Sequence, residues 1–303
     1  MHPHLVADLP WPAIASSIER AISGPFALRH VGPVGGGCIN RGHHIRGGNR
    51  EFFVKINTAA RAGMFEAEAD GLSEIARTHT VRVPLPLCFG SDAQHSWLVM
   101  QWLPLSSDGL GRDAGAKLGE QLAAMHRATA DRFGWTRDNT IGSTPQSNTQ
   151  ERSWIDFWRE HRLRPQLELA AYKGYRGRLQ IVGERLLEQM PALFSGHRIN
   201  PALLHGDLWG GNAAVLQVGT PLIFDPAVYY GDREADIAMT ELFGGFPSSF
   251  YAAYRVSAPL SAGYAVRREL YNVYHVLNHL NLFGGAYLKQ SESMIDGLLA
   301  EMR

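Results

Sequence analysis

The chain has 303 residues, 45% of them apolar and 19% charged, ordinary proportions for a soluble globular protein with room for one large domain or two lobes around a cleft. Lysine plus arginine equals aspartate plus glutamate at 29 each, so no global field favours nucleic acid or a membrane surface, while a local basic or acidic cleft remains compatible with that balance. Two cysteines, no basic-then-apolar leader and no window near ~18 apolar residues exclude a disulfide framework, a secretory signal and a membrane span, and make the cytoplasm the expected location.

The first third reads as strand-rich. "FALRHVGPVGGGCINRGHHIRG" (26–47) is patterned as strand, glycine loop, strand. In "REFFVKINT" (50–58), Phe52, Phe53, Val54 and Ile56 supply β propensity around one lysine, Lys55. "AGMFEAEADGLSEIARTH" (62–79) carries Met64, Leu72, Ile75 and Ala76 at helical spacing, with acidic residues early and Arg77 late, as the helix dipole favours. "VRVPLPLCFG" (81–90) and "HSWLVMQWL" (95–103) read as two more strands. Composition then shifts at "PLSSDGLGRDAG" (104–115), the best candidate for an inter-lobe linker. This predicts two domains, 1–103 and 104–303.

Beyond the linker the chain reads as mostly helical. "AGAKLGEQLAAMHRAT" places Leu118, Leu122 and Met125 on one stripe, and "WIDFWREHRLRPQLELAA", "YRGRLQIVGERLLEQM" and "ELYNVYHVLNHLNLFGGAYL" follow. Only "LLHGDLWGGNAAV" (203–215) and "TPLIFDPAVYYG" (220–231) interrupt with strand-like runs. The fold class is α+β: a small antiparallel-sheet N-terminal lobe and a mostly helical C-terminal lobe.

The first of those interruptions sets Asp207 and then Asn212 on a glycine-rich loop, and Asp225 follows in "LIFDPA". That is the spacing of a kinase catalytic loop and its metal-binding aspartate. Phosphoryl transfer needs a carboxylate to deprotonate the acceptor hydroxyl, here Asp207, and hard oxygen ligands for Mg2+, here Asn212 and Asp225. An Asx-rich turn explains "HGD" alone, but not the three residues together. His205 and Gly206 stand where a protein kinase has His and Arg, and Asp-Pro-Ala where it has Asp-Phe-Gly. Both departures point to small-molecule kinases of the same fold.

The N-terminal third supplies the remaining parts. Gly35, Gly36 and Gly37 sit between two expected strands, where backbone N–H groups would approach phosphate without Cβ clash, although a glycine-rich hairpin alone reads the same way. Lys55 inside an apolar run wants anionic partners, ATP phosphates and a helix glutamate. Glu66 and Glu68 are both candidates, and Glu68 is preferred because Leu72 and Ile75 follow it on the packing face. At the lobe junction Met100 would face the back of the pocket, and Gln101, Trp102 and Leu103 would line the adenine hinge; a strand running into a loop reads the same way.

"GGGCIN", "FFVKIN", "MFEAEADGL", "DNTIGSTPQSN", "WIDFWREHRL", "LLHGDLWGGN", "FDPAVYYGDREADIAM", "FGGFPSSF" and "LYNVYHVLNHLNLFGGAYL" together resemble the fructosamine kinase (ketosamine 3-kinase) family, relatives of the aminoglycoside phosphotransferases within the protein-kinase-like fold. The resemblance implies ATP-dependent phosphorylation of the 3-hydroxyl of a ketosamine, on a free amine or a glycated protein lysine. The product sheds its sugar, which makes the role deglycation. By motif, Asp207 matches the proton acceptor, Asn212 and Asp225 the metal ligands, Lys55 and Glu68 the phosphate-anchoring pair, and residues 101–103 the ATP hinge, where Gln101 replaces a Glu of many relatives. A kinase of another small alcohol or amine, such as an aminoglycoside or choline, and a nucleotide-binding pseudokinase are the rivals.

Several residues have two readings. Trp209 is a platform for sugar C–H groups or a cation, or equally a core tryptophan under the loop. Asp236 accepts hydrogen bonds from the catalytic-loop backbone beside His205, or caps its own helix. Asp232 and Glu234 are expected in solvent. His275 and His279 are four apart without the Glu of a His-Glu-x-x-His site, which favours core or cleft histidines over metal ligands. Cys38 in the glycine loop is a redox-active thiol or a small inert residue.

Overall fold

The computed structural model describes residues 9–35 and 39–302; Gly36, Gly37 and Cys38 lie outside the described residues. The described chain opens with a helix that the sequence reading did not anticipate, α1 (Trp11–Ile22), with Pro12 in its first turn. Then come β1 (Arg29–Val34), β2 (Arg41–Gly47), β3 (Arg50–Thr58), α2 (Ala62–Arg77), β4 (Pro86–Ser91) and β5 (His95–Gln101). The five strands pair antiparallel in the order β1-β2-β3-β5-β4.

Side chains alternate across this sheet, so each face has its own cover. Val54 and Ile56 of β3, with Trp97 and Val99 of β5, bury against Ile14 and Ile18 of α1. Leu98 and Met100 of β5 point the other way, into the core shared with Phe65, Leu72 and Ile75 of α2. Burying each such side chain stabilises the fold by roughly 1.5–3 kcal/mol. Lys55, between Val54 and Ile56, is carried by the same alternation to the α2 face. β4 is shorter than the pattern of 81–90 suggests, because Pro84 and Pro86 have no N–H for a ladder; Val81 and Val83 are still buried.

An irregular connection follows β5, and α3 (Arg112–Met125) begins inside the stretch expected as linker. Its Leu118, Leu122 and Met125 are buried. A hairpin of β6 (Asn139–Ile141) and β7 (Thr144–Gln146) was not anticipated. The run from Trp154 is helical without a break to Tyr172, with a π turn in its middle. Its parts are α4 (Trp154–Trp158), the π turn (Arg159–Leu163) and α5 (Arg164–Tyr172), and Pro165, whose missing N–H leaves one hydrogen bond unmade, stands just past the π turn.

After α6 (Arg178–Gln189) come β8 (Ala202–Leu204), β9 (Ala213–Val215), β10 (Pro221–Ile223) and β11 (Tyr229–Gly231). β9 pairs with β10, and β8 with β11. The loops 205–212 and 224–228 therefore leave the same two short ladders and are held side by side. α7 (Glu234–Leu242), α8 (Ser248–Ser257), α9 (Tyr264–Phe283) and α10 (Leu288–Glu301) complete the helical part. Among the described residues no helix is long and apolar enough to cross a membrane.

Candidate active site

A cleft of about 790 Å³ lies between the sheet and the helical part. Lys55, Glu68, Met100 to Leu103, Asp207, Trp209, Asn212 and Asp225 all line it, as does Gly35. Residues from positions 34 to 287 thus converge on one space.

The loop from β8 is held from beneath. Both carboxylate oxygens of Asp236 accept backbone N–H groups, from His205 at 2.7 Å and Gly206 at 2.8 Å, and its Oδ2 also meets His126 Nε2 at 3.1 Å. Burial alone would raise the Asp236 pKa; His126 and the Gly206 N–H hold it below the usual carboxylate value. His205 Nε2 lies 2.9 Å from the Phe224 carbonyl, which only accepts, so Nε2 carries the proton. Nδ1 is then free to accept the Asp207 N–H at 3.2 Å. Burial lowers the His205 pKa and keeps that neutral tautomer.

Gly206 takes φ 81°, and a Cβ there would stand 2.1 Å from the Ala227 carbonyl oxygen. One residue away, the Ala227 N–H donates to the His205 carbonyl at 2.8 Å. Backbone meets backbone at this point, and that contact brings the loops bearing Asp207 and Asp225 into register.

Asn212 Nδ2 donates to the Asp207 carbonyl at 2.9 Å and to Asp207 Oδ2 at 3.2 Å, which orients the carboxylate and leaves Oδ1 of the amide for another partner. Asp207 is pushed up to about 7, first by burial and then by the charge of Asp225, against the hydrogen bond from Asn212. Asp225 sits at φ 58°, rare for a residue with a Cβ and a form of strain that collects at functional sites. Its Oδ1 accepts Lys55 Nζ at 2.5 Å, and Glu68 Oε1 accepts the same ammonium at 2.6 Å. Burial disfavours the Lys55 charge, but the two carboxylates more than offset it and raise its pKa. Glu66, the other candidate, points to Arg137 instead.

At the hinge, the Gln101 N–H is committed to the Leu85 carbonyl at 2.8 Å, and its Oε1 accepts Arg82 at 2.8 Å. The Gln101 N–H is thus not available to a ligand in the cleft. Trp102 stacks on His44 with ring centroids 3.8 Å apart, and Met100 is buried at the back. Trp209 is not under the loop: it is 38% exposed, with its ring 6.2 Å from that of Phe243. Asp232 and Glu234 are not in solvent. Asp232 accepts from Tyr271 at 2.6 Å and pairs with His197 at 2.7 Å, and Glu234 takes a bidentate bond from buried Arg267. Their partners come from far along the chain, which is why a charge-rich local run read as solvated.

His275 and His279 line the cleft, and His279 Nδ1 donates to the His275 carbonyl rather than facing a shared ligand point. Asn278 on α9 and Asn139 to Gly142 of the β6–β7 hairpin also line the cleft and escaped the sequence reading. The polar residues interrupting the apolar α9 pattern were the only signal available.

Burial and the charge of His279 push His275 down to about 3. The unfolded chain, with a histidine near 6.5, therefore binds a proton that the folded chain refuses between those two values, and stability is lost as pH falls below about 6.5. Asp207 and Glu68, raised by burial, act in the opposite sense, so a difference measurement isolates the histidine. We expect His275→Gln to gain about 1.4 kcal/mol per pH unit relative to wild type from pH 6.5 down to 4.5. Urea midpoints at each pH check this, and a constant difference between the two proteins would contradict it.

The donor set fits a hard divalent cation: the Asp225 carboxylate, 40% exposed towards the cleft, and the spare amide oxygen of Asn212. It fits a nucleotide as well, with an ammonium at one end and an apolar floor from Phe53, Met100 and Leu222 at the other.

The sequence profile of the family described as "Fructosamine kinase" matches residues 10–301. A Synechocystis protein named "probable ketoamine kinase" is 47% identical over 287 residues, covering 94% of this chain and 96% of the relative. The chloroplastic protein-ribulosamine 3-kinase of Arabidopsis thaliana is 44% identical over 279 residues, covering 91% of this chain and 84% of its own. Among solved structures, a protein from Haemophilus somnus assigned as a fructosamine-3-kinase superposes with a TM-score of 0.86 at 28% identity, covering 95% of this chain and 97% of the other.

Proposed function

The chain belongs to the fructosamine kinase family, and from that premise we propose that it uses ATP to phosphorylate the 3-hydroxyl of ketosamines, the sugar adducts that glycation leaves on amines. Its α+β architecture is that of the protein-kinase-like fold. The observation that carries the reading is the meeting of Lys55, Asp225, Asn212 and Asp207 in one cleft of a chain with these relatives.

In this reading residues 1–103 form the nucleotide-binding lobe and 104–303 the catalytic and substrate lobe. Lys55, aligned by Glu68, holds the phosphates, while Gly35 and its neighbours cover them and residues 101–103 meet the adenine. Asn212 and Asp225 would hold Mg2+, which when bound supplies positive charge against the phosphate oxygens. Asp207, oriented by Asn212, accepts the proton of the sugar hydroxyl as that oxygen attacks the γ-phosphorus, the bond from that phosphorus to the β,γ-bridging oxygen breaks and ADP leaves. His205 and Asp236 hold the loop that carries Asp207.

The acceptor end is lined by Trp209, His275, Asn278 and His279. It offers a ring face and neutral hydrogen-bonding groups rather than the acidic cluster a polycationic aminoglycoside would call for. The role we propose is deglycation in the cytoplasm, on free ketosamines and on glycated protein lysines.

An ATP-consumption screen tests this, with ribulosamines and fructosamines of free lysine, the same adducts on a protein, and an aminoglycoside as the rival acceptor. Phosphorus NMR then places the new ester. Turnover on ketosamines with phosphate on O3 is expected. Turnover confined to the aminoglycoside, or ATP binding with no acceptor used, would refute the assignment.

A further inference from the structure

The helix that presents Glu68 to Lys55 is gripped on its other side. Arg137, two residues before β6, reaches across to α2 with both terminal nitrogens. Its NH1 meets Asp70 Oδ2 at 2.5 Å and its NH2 meets Glu66 Oε2 at 3.2 Å. Glu66 and Asp70 are four apart, one turn along one face, so a single planar guanidinium spans both. Glu68 lies between them in sequence and faces the opposite way, onto Lys55 at 2.6 Å. One helix therefore has its catalytic-side glutamate and its outer carboxylates each tied to a different cation.

Arg137 is itself anchored in the helical part. Its carbonyl accepts from Asn148 Nδ2 at 3.1 Å, and Asp138 accepts the Asn148 N–H at 2.7 Å. Asn148 Oδ1 in turn accepts buried Arg162 at 2.7 Å. The hairpin that follows makes further attachments. Its turn receives Arg61, just ahead of α2, at the Ser143 carbonyl at 3.0 Å. Asn139 Nδ2 donates to the Val228 carbonyl at 2.8 Å, three residues after Asp225. Gln146 Nε2 donates to Asn139 Oδ1 at 2.8 Å, and Tyr274 of α9 donates to Gln146 Oε1 at 2.6 Å. The segment 137–146 thus touches α2, the segment after Asp225, and the helix lining the acceptor end.

We propose that this segment is a brace that sets the position of α2, and that Arg137 is a positioning residue for nucleotide binding: it touches neither phosphate nor adenine, and acts by holding Glu68 against Lys55. This rests on the reading of Lys55 and Glu68 as the phosphate anchor. Without Arg137, Glu66 and Asp70 lose the cation that holds α2 to the helical part. The core packing of α2, the Arg61 contact and the Tyr230–Glu74 hydrogen bond remain, but the turn that carries Glu68 loses its outer hold, and Glu68 is less firmly kept against Lys55.

The test is the affinity for AMP-PNP with MgCl2, measured by calorimetry, together with hydrogen exchange over residues 62–77 in the nucleotide-free protein. Half-exposed ion pairs are individually weak, so two of them lost in Arg137→Met should raise Kd about fivefold and speed exchange in α2. The swapped pair Arg137→Asp with Asp70→Arg should return Kd to within about twofold of wild type. Arg137→Lys, which keeps the charge but reaches one carboxylate, should fall between, and it stands in if Arg137→Met does not fold. An unchanged Kd in Arg137→Met or Arg137→Lys overturns the proposal, as does a loss that the swap leaves unrepaired, since an unspecific packing defect would behave so. Binding of AMP-PNP needs no acceptor, so the brace and the ketosamine assignment fail independently.

Discussion

Asp207→Asn lowers kcat for ketosamine phosphorylation by about a thousandfold or more, while the Kd for ATP stays within about threefold of wild type. The size follows from removing the proton acceptor, a contribution of roughly 10² to 10⁴, in a cleft where no second carboxylate stands in for it: Asp225 is tied to Lys55 and Asp236 to the backbone beneath. The sparing of ATP follows because Asp207 makes no bond to Lys55 or Glu68. The substitution is nearly isosteric, and Asn212 keeps its bond to the backbone carbonyl of residue 207, so the loop stays in place. Single-turnover kinetics beside an equilibrium ATP titration separate the two quantities. Near-normal turnover, or a parallel collapse of ATP affinity, would remove Asp207 from the role of base.

Gly206→Ala is the second large effect, and it acts on the fold before the chemistry. At φ 81° any side chain is strained, and the new methyl would lie 2.1 Å from the Ala227 carbonyl oxygen. That oxygen is backbone and has no rotamer to retreat to, so the two loops must part. Strain and overpacking together cost roughly 3 kcal/mol, a large share of the stability of an ordinary domain. Parting the loops also strips the His205 carbonyl of the Ala227 N–H and moves Asp207 away from Asp225. Urea unfolding and activity of the remaining folded fraction measure the two consequences. Wild-type stability in Gly206→Ala would mean that the contact is not what registers the loops.

Much of this was legible locally. The alternation in "FFVKIN" implies that Lys55 points away from Val54 and Ile56, and helical phase separates Glu66 from Glu68. Other features had no local signal. α1 itself carries a plain amphipathic pattern that the sequence reading missed; what had no local signal is that it covers the outer face of the sheet. The β6–β7 strands are three residues each, too short for periodicity to register.

By itself, then, the sequence determined the inventory and the phase: which strands alternate, which helix faces are apolar, and a base, an amide and a second carboxylate at kinase spacing. Beyond the pairing of Lys55 with Glu68, which helical phase already favoured, the tertiary structure decided which charges are paired. Lys55 and Asp225 are 170 positions apart, Asp236 reaches back about thirty to the loop it caps, and Arg267 crosses a similar gap to Glu234. A buried charge is tolerable only with a partner, and that partner is supplied by whichever element the fold places alongside. Local periodicity, which is set by backbone geometry within a few residues, carries no record of it.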